Sequence, residues 1–209
     1  MQKKFILFDF DGVVADSFHA AFEVQKMICP HLSDENYRKR FEGNINDWAE
    51  PENVHTEACR HDIDFFTEYI PRMKNEVEII SGMKEVITLL EGKYTLVVIS
   101  SSITSPIQDF LVDHDLASHF DWIMGNDVHK SKVEKIKMVF AKYGVGSSDC
   151  VFVTDTLGDM REATKMDVGS IGVTWGFHDP ETLDRGNPFR LIETPAALPG
   201  AISDYFAKR

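Results

Sequence analysis

The chain of 209 residues is poor in cysteine, short of cations relative to acids, and free of long apolar runs. Its three cysteines, Cys29, Cys59 and Cys150, are too few and too scattered for a disulfide framework, which agrees with a reducing compartment. No apolar stretch approaches the length of a membrane span, and the N-terminus runs into its first apolar segment without a signal-peptide pattern. A cytoplasmic protein without a membrane partner is therefore expected. Lys and Arg number 22 against 34 Asp and Glu, a net charge of −12. Phosphate backbones need clustered cations, so this balance argues against nucleic acid as a general partner. An anionic substrate would have to meet a locally positive site built from a metal ion, a few lysines and helix N-termini. Internal repeats and low-complexity tracts are absent. What is present, 43% hydrophobic and 27% charged residues, is ordinary for a globular chain. The length suits one domain carrying a smaller insertion, as a monomer or a homodimer.

The chain is organised around Lys4-Phe5-Ile6-Leu7-Phe8-Asp9-Phe10-Asp11-Gly12. A short apolar run of this kind reads as a strand buried on both faces of a sheet. Asp9 then stands at its C-terminal end, Asp11 follows two residues on, and Gly12 lets the backbone turn sharply. Two acids at the mouth of a core strand are costly unless a cation or a reaction requires them. They can equally be turn residues capping backbone N–H groups.

Beyond this strand, Ser17 is placed to cap a helix over 18–28, and Ser33 one that runs to about Phe41. A further helical segment over 53–70 is expected to stop at Pro71. No strand pattern appears between Asp16 and about Glu78, so these residues read as a helical subdomain. From Ser81 helices and strands alternate. A helix over 83–91 precedes a strand over 94–99, and Ser105-Pro106 starts another helix. A strand over 121–124, a helix over 132–143 stopped by Gly144, and a strand over 150–154 follow. A helix near 159–166, a strand over 170–173 and an irregular final helix complete the pattern. Repeated strand–helix units imply an α/β fold with a doubly wound parallel sheet and right-handed crossovers.

Chemically competent residues collect at strand C-terminal ends: Asp9 and Asp11, then Ser100, then Asp155 and Asp159. In open α/β sheets ligands bind at that edge, so residues distant in sequence converge on one crevice. A carboxylate cluster with no His or Cys beside it suits a hard cation, Mg²⁺ before Zn²⁺. Lys130 and Lys132, which precede a helix, supply a cation for an anion pocket.

In that order, Asp9-Phe10-Asp11-Gly12, Ser100, Lys132 and Asp155-Thr156-Leu157-Gly158-Asp159 resemble the four motifs of the haloacid dehalogenase (HAD) superfamily. The resemblance covers most of the chain. The helical insertion after the first motif resembles the small cap of the phosphoglycolate phosphatase and β-phosphoglucomutase branch, as does Gly172-Val173-Thr174-Trp175-Gly176-Phe177. It implies a Rossmann-like core over 1–16 and 79–209 and a cap over 17–78. The implied activity is Mg²⁺-dependent hydrolysis of a small phosphorylated metabolite through an aspartyl-phosphate. Asp9 is then the nucleophile and Asp11 the acid and base. Asp9, the Asp11 carbonyl, Asp155 and Asp159 hold the metal, and Ser100 with the N–H groups after it holds the phosphoryl oxygens. Ser131-Lys132, with no proline following, resembles the Ser-Lys form of the third motif, so Lys132 is selected over Lys130.

Thr154, Met166-Asp167 and Ser101-Ser102 depart from common family residues without removing a catalytic group. Ser101, following the motif serine, is expected at the phosphate. Dehalogenation and phosphonate hydrolysis are disfavoured by the presence of Asp11. A sugar phosphomutase would use the same acids, and a non-catalytic phosphoacceptor module also clusters acids, a hydroxyl and a lysine. The run Arg38 to Asn44 resembles the cap's specificity loop, which makes Arg40 and Asn44 candidates for substrate contact, although each also fits a solvated helix face. His55, Cys59 and His61 do not share a helix face and are expected at the surface or in packing. Trp48, Phe65 and Phe66 are expected in the cap's own core.

Overall fold

The computed structural model describes residues 3–48 and 58–209. A six-stranded parallel sheet has the order β3-β2-β1-β4-β5-β6. The strands are β1 (Phe5–Phe8), β2 (Thr95–Ile99), β3 (Phe120–Met124), β4 (Cys150–Thr154), β5 (Gly169–Val173) and β6 (Arg190–Ile192). The chain grows outward from β1 in one direction, then returns to its other side at β4. The C-terminal ends of β1 and β4 therefore form the switch point where such sheets bind ligands.

All four residues of β1 are buried, as a central strand covered on both faces must be. The two-residue period divides its side chains between two cores. Ile6 and Phe8 face α4 (Met83–Glu91), α5 (Thr104–Asp113) and α9 (Leu198–Ala207). Phe5 and Leu7 face α6 (Lys132–Tyr143) and α7 (Leu157–Thr164). Between β1 and β2 lies an insertion built from α1 (Phe18–Ile28), α2 (Asp34–Lys39) and α3 (Phe65–Glu76), with short 3₁₀ turns at Arg40–Glu42 and Ile45–Asp47. Buried Ala20, Ala21, Val24, Tyr37, Tyr69 and Met73 join the insertion to the first of these cores.

Several local expectations are corrected. Pro71 does not stop α3, which continues to Glu76. Asp64 caps its start by accepting from Thr67 N at 2.8 Å. Pro71 and Thr67 are exposed, so the carbonyl that proline leaves without its helical donor faces water, while buried Tyr69 and Met73 hold the turns on either side. Ser17 precedes α1 but its side chain makes no capping bond. Thr104, not Ser105, opens α5, with its amide and hydroxyl both donating to Asp127. Strand β6 and the short α8 (Pro180–Asp184) gave no readable pattern, being three and five residues long. The last helix, α9, is regular.

Cys29 and Cys59 are joined as a disulfide within the insertion, so the expectation of unpaired cysteines fails for these two; buried Cys150 is free. No helix among the described residues is long and apolar enough to cross a membrane.

Candidate active site

Two of the acids are delivered by strand ends and a third by the first turn of a helix. Asp9 follows β1, and its Oδ1 accepts from Phe10 N at 2.8 Å. Asp155 follows β4, and its Oδ2 accepts from Phe177 N at 2.7 Å. Thr156 caps α7, which places Asp159 in the first turn of that helix. Lys132, the first residue of α6, bridges the two motifs, with Nζ 2.9 Å from Asp9 and 2.5 Å from Asp159. The hydroxyl of Thr154 also donates to Asp159 at 2.9 Å. The departure at position 154 thus supplies a hydrogen bond that glycine would lack.

Gly12 is required here by conformation and by space. Its φ is +73°, and a Cβ at this position would overlap the Asp155 carboxylate.

The electrostatics follow from three buried carboxylates sharing one lysine. Burial raises Asp9 well above the usual carboxylate range, and the charge of Asp159 adds to the shift while Lys132 opposes it. Burial likewise lifts Asp155 to about 7, against the hydrogen bond from Phe177 N. For Asp159 burial also opposes ionisation, but Lys132, Asp9 and Thr154 outweigh it and hold the group below its ordinary value. Burial acts against the Lys132 ammonium, and its two carboxylate partners raise it above the usual lysine value. Oδ1 of Asp155 is buried without a hydrogen-bond partner. An orphaned, buried carboxylate oxygen beside two further acids is the donor set of a hard divalent cation, and the residues present fit Mg²⁺.

Asp11 is held differently. Tyr69 of α3 donates to one of its oxygens at 2.6 Å, Ser102 to the other at 2.7 Å, and Ser100 to that same oxygen at 3.4 Å. Ser100 also accepts from Ser102 N at 2.9 Å, which closes the loop after β2. Ser101 lines the cavity beside these residues, and so does buried Arg40, whose guanidinium lies 5.7 Å from the centre of the Tyr37 ring.

Asn44 is not brought to the cavity. Its amide donates to Glu162 at 3.2 Å and to the Lys130 carbonyl at 3.4 Å. Lys130 is exposed and offers the site only that backbone contact. Phe65 and Phe66 are half-buried and line the cavity instead of forming a separate core; Trp48 is half-buried. Cys59 lies beside Cys29 and His31, and His61 is exposed; His55 falls outside the described residues.

Four residues carry the site without having been singled out. Tyr69 is one. Glu162 accepts from Lys132 N at 3.0 Å and Ser131 Oγ at 3.1 Å, fixing the start of α6. Buried Lys135 donates to the Ser100 carbonyl at 2.5 Å and the Gly125 carbonyl at 3.1 Å. His178 accepts from Leu157 N at 3.0 Å and lies 2.9 Å from the Arg38 carbonyl through its other ring nitrogen, linking α7 to the insertion. Lys135 and Glu162 each stand three residues past a motif residue, Lys132 and Asp159, a helical spacing that offered some signal; Tyr69 and His178 offered none.

The site thus sits at the switch point, with an acid after each of two central strands and a lysine between them. Residues 6–173 match the family model of haloacid dehalogenase-like hydrolases, and the chain belongs to that family. It is 28% identical over 157 residues to a probable phosphatase, IndB, of Dickeya dadantii, covering 73% of this chain and 67% of that one. It is 23% identical to the phosphoglycolate phosphatase of Synechococcus elongatus, over 95% and 96% of the two chains. Among solved structures, a conserved haloacid dehalogenase-like protein of unknown function from Agrobacterium tumefaciens superposes with a TM-score of 0.77 at 23% identity, covering 97% and 99%.

Proposed function

We propose that the chain is a Mg²⁺-dependent phosphatase that hydrolyses a small phosphorylated metabolite through an aspartyl-phosphate on Asp9. The supporting observation is the Asp9–Lys132–Asp159 bridge beside the orphaned oxygen of Asp155. Relatives called phosphatase and phosphoglycolate phosphatase support the same reading. Residues 17–78 would form a cap over a core of 1–16 and 79–209. Asp9, the Asp11 carbonyl, Asp155 and Asp159 would hold Mg²⁺, which when bound supplies positive charge to the nucleophile and the phosphoryl oxygens.

In the first half-reaction a carboxylate oxygen of Asp9 forms a bond to phosphorus as the ester P–O bond breaks. Asp11 gives its proton to the leaving alkoxide. In the second, Asp11 takes a proton from water as the water oxygen bonds to phosphorus, and the P–O bond to Asp9 breaks. Lys132 offsets the charge of Asp9 and of the transferring group. The three hydroxyl donors fix the orientation of the Asp11 carboxyl before substrate arrives. Positioned proton transfer of this kind contributes roughly 10²–10⁴-fold. Ser101 lines the cavity and would meet the phosphoryl oxygens, Ser100 lies buried behind it with its hydroxyl on Asp11 and Ser102 N, and Arg40 adds a second cation within a chain that is acidic overall.

The test is hydrolysis of p-nitrophenyl phosphate with Mg²⁺. Asp9→Asn is expected to abolish turnover, and EDTA to abolish it reversibly in the wild type. An Asp9→Asn protein that kept the wild-type rate would exclude the mechanism. A phosphometabolite panel including a bisphosphorylated sugar primer separates hydrolysis, which releases inorganic phosphate, from transfer to a sugar hydroxyl.

A further inference from the structure

We infer that the alcohol portion of the substrate is mainly apolar, an inference that rests on the phosphatase reading and names the class of ester it acts on. The cavity has a volume of about 280 Å³ and runs without interruption from Asp9, Asp11 and Lys132 to the inserted helices. Its two ends differ in chemistry. Around Asp9 the lining is charged or hydroxylic, as a phosphoryl group requires. The inserted segment, whose Tyr69 reaches Asp11, contributes the apolar walls Ala21, Phe41, Ile45, Phe65 and Phe66, and Phe177 meets Phe41 from the core; the leaving alcohol must lie on this side if Asp11 is to protonate it.

These rings are held in place by one another. Phe41 meets Phe177 edge-on with centroids 4.9 Å apart, and Phe65 stacks on Tyr69 at 5.2 Å. They therefore form a fixed apolar surface. The Tyr69 hydroxyl on this wall already donates to Asp11 at 2.6 Å. Gln25, Tyr37, Arg40 and Asn46 also reach the cavity and can meet a polar or anionic substituent. A polyol would carry a hydroxyl at each carbon past the phenyl rings, exchanging water hydrogen bonds for carbon contacts. A hydrocarbon chain or ring would instead leave water for a matching surface. At this volume the site lies at the small end of ligand pockets, which run from roughly 300 Å³, so the ester is that of a small alcohol.

The experiment compares kcat/KM of the wild-type protein, with Mg²⁺, for ethyl, propyl, butyl and hexyl phosphate, and for glycerol 1-phosphate. Propyl and glycerol esters share a three-carbon chain, and the hydroxyls of glycerol make it the better leaving group, so intrinsic reactivity runs against the inference. The expected result is a rise of roughly fourfold per methylene until the cavity is filled, with propyl phosphate preferred to glycerol 1-phosphate by about tenfold or more. Phe66→Ser should flatten the series, and the milder Phe66→Leu should keep it. A flat alkyl series, or preference for the glycerol ester, in a protein that still turns over p-nitrophenyl phosphate in an Asp9-dependent way, overturns the apolar class and leaves the phosphatase standing. Failure to hydrolyse any ester, p-nitrophenyl phosphate included, overturns both.

Discussion

Two side chains show how much of the chemistry depends on groups outside the motifs. Tyr69 joins the inserted helices to the proposed acid and base through a part-buried 2.6 Å hydrogen bond. Burial and the neighbouring Asp11 charge both raise its phenol above the usual value, so it stays a donor. Loss of a hydrogen bond to a charged group costs roughly 1.5–3 kcal/mol. Tyr69→Phe is accordingly expected to lower kcat by about ten- to a hundredfold with KM little changed, as steady-state kinetics would show; a loss confined to KM would assign Tyr69 to substrate binding alone. Lys135 is the second case. Burial, aided by repulsion from Lys132, lowers it from 10.5 to about 8. Its folded-state value lies below its unfolded one, so the charge costs stability at neutral pH. That cost fades as pH rises from about 8 towards 10.5. Lys135→Met removes the charge but strands the Ser100 and Gly125 carbonyls, and the net sign at pH 7 is expected to be destabilising by about 1–3 kcal/mol. The gap in melting temperature between wild type and variant should widen from pH 7 to pH 9.5. A gap that narrows would mean the ammonium is not held as a buried cation.

Among the elements, α7 does most to place the site. Thr156 at its start orients Asp159, Glu162 one turn on fixes α6, and Gly158 between them lets the insertion come close. A Cβ at Gly158 would overlap the backbone carbonyls of Gly43 and Phe41, which leaves no flexible side chain to yield. Gly158→Ala is therefore expected to push the Arg40–Gly43 turn off the core and raise KM severalfold or more, with a smaller fall in melting temperature. Unchanged KM would show that this turn is not part of the substrate wall. Arg161 makes a short contact to the Glu42 carbonyl and Arg185 pairs with Glu42 at 2.7 Å, so the same turn is also held from outside. The pairing at Arg185 is exposed and contributes little by itself.

For the molecule as a whole, the one cross-link lies in the insertion and not in the core. The disulfide joins Cys29 at the end of α1 to Cys59, 30 residues later, ahead of α3. Closing a loop of that length in the unfolded chain is worth about 3.5 kcal/mol. For a protein of this size that corresponds to roughly 10 °C in melting temperature. The Cys29→Ala, Cys59→Ala double variant should lose about this much in non-reducing buffer, measured by calorimetry. No loss would exclude the cross-link's role, whereas reductant should lower the melting temperature of the wild type by a similar amount and leave the double variant unchanged.

The alternation of apolar strands with amphipathic helices determined the parallel sheet, because a strand buried on both faces and a helix with one apolar face admit few other arrangements. It also determined that Asp9, Ser100, Lys132, Asp155 and Asp159 would converge, since each stands where a strand ends or a helix begins. Local pattern records that a side chain is buried, not which neighbour it meets. Tertiary structure alone therefore chose Tyr69 as the partner of Asp11, turned Asn44 away to Glu162, joined Cys29 to Cys59 and made Phe65 and Phe66 a cavity wall. All four outcomes depend on the approach of segments distant along the chain, where packing and a matching donor or acceptor decide. The two carboxylates that end β1 were legible as a costly pair from the first; what holds each of them was not.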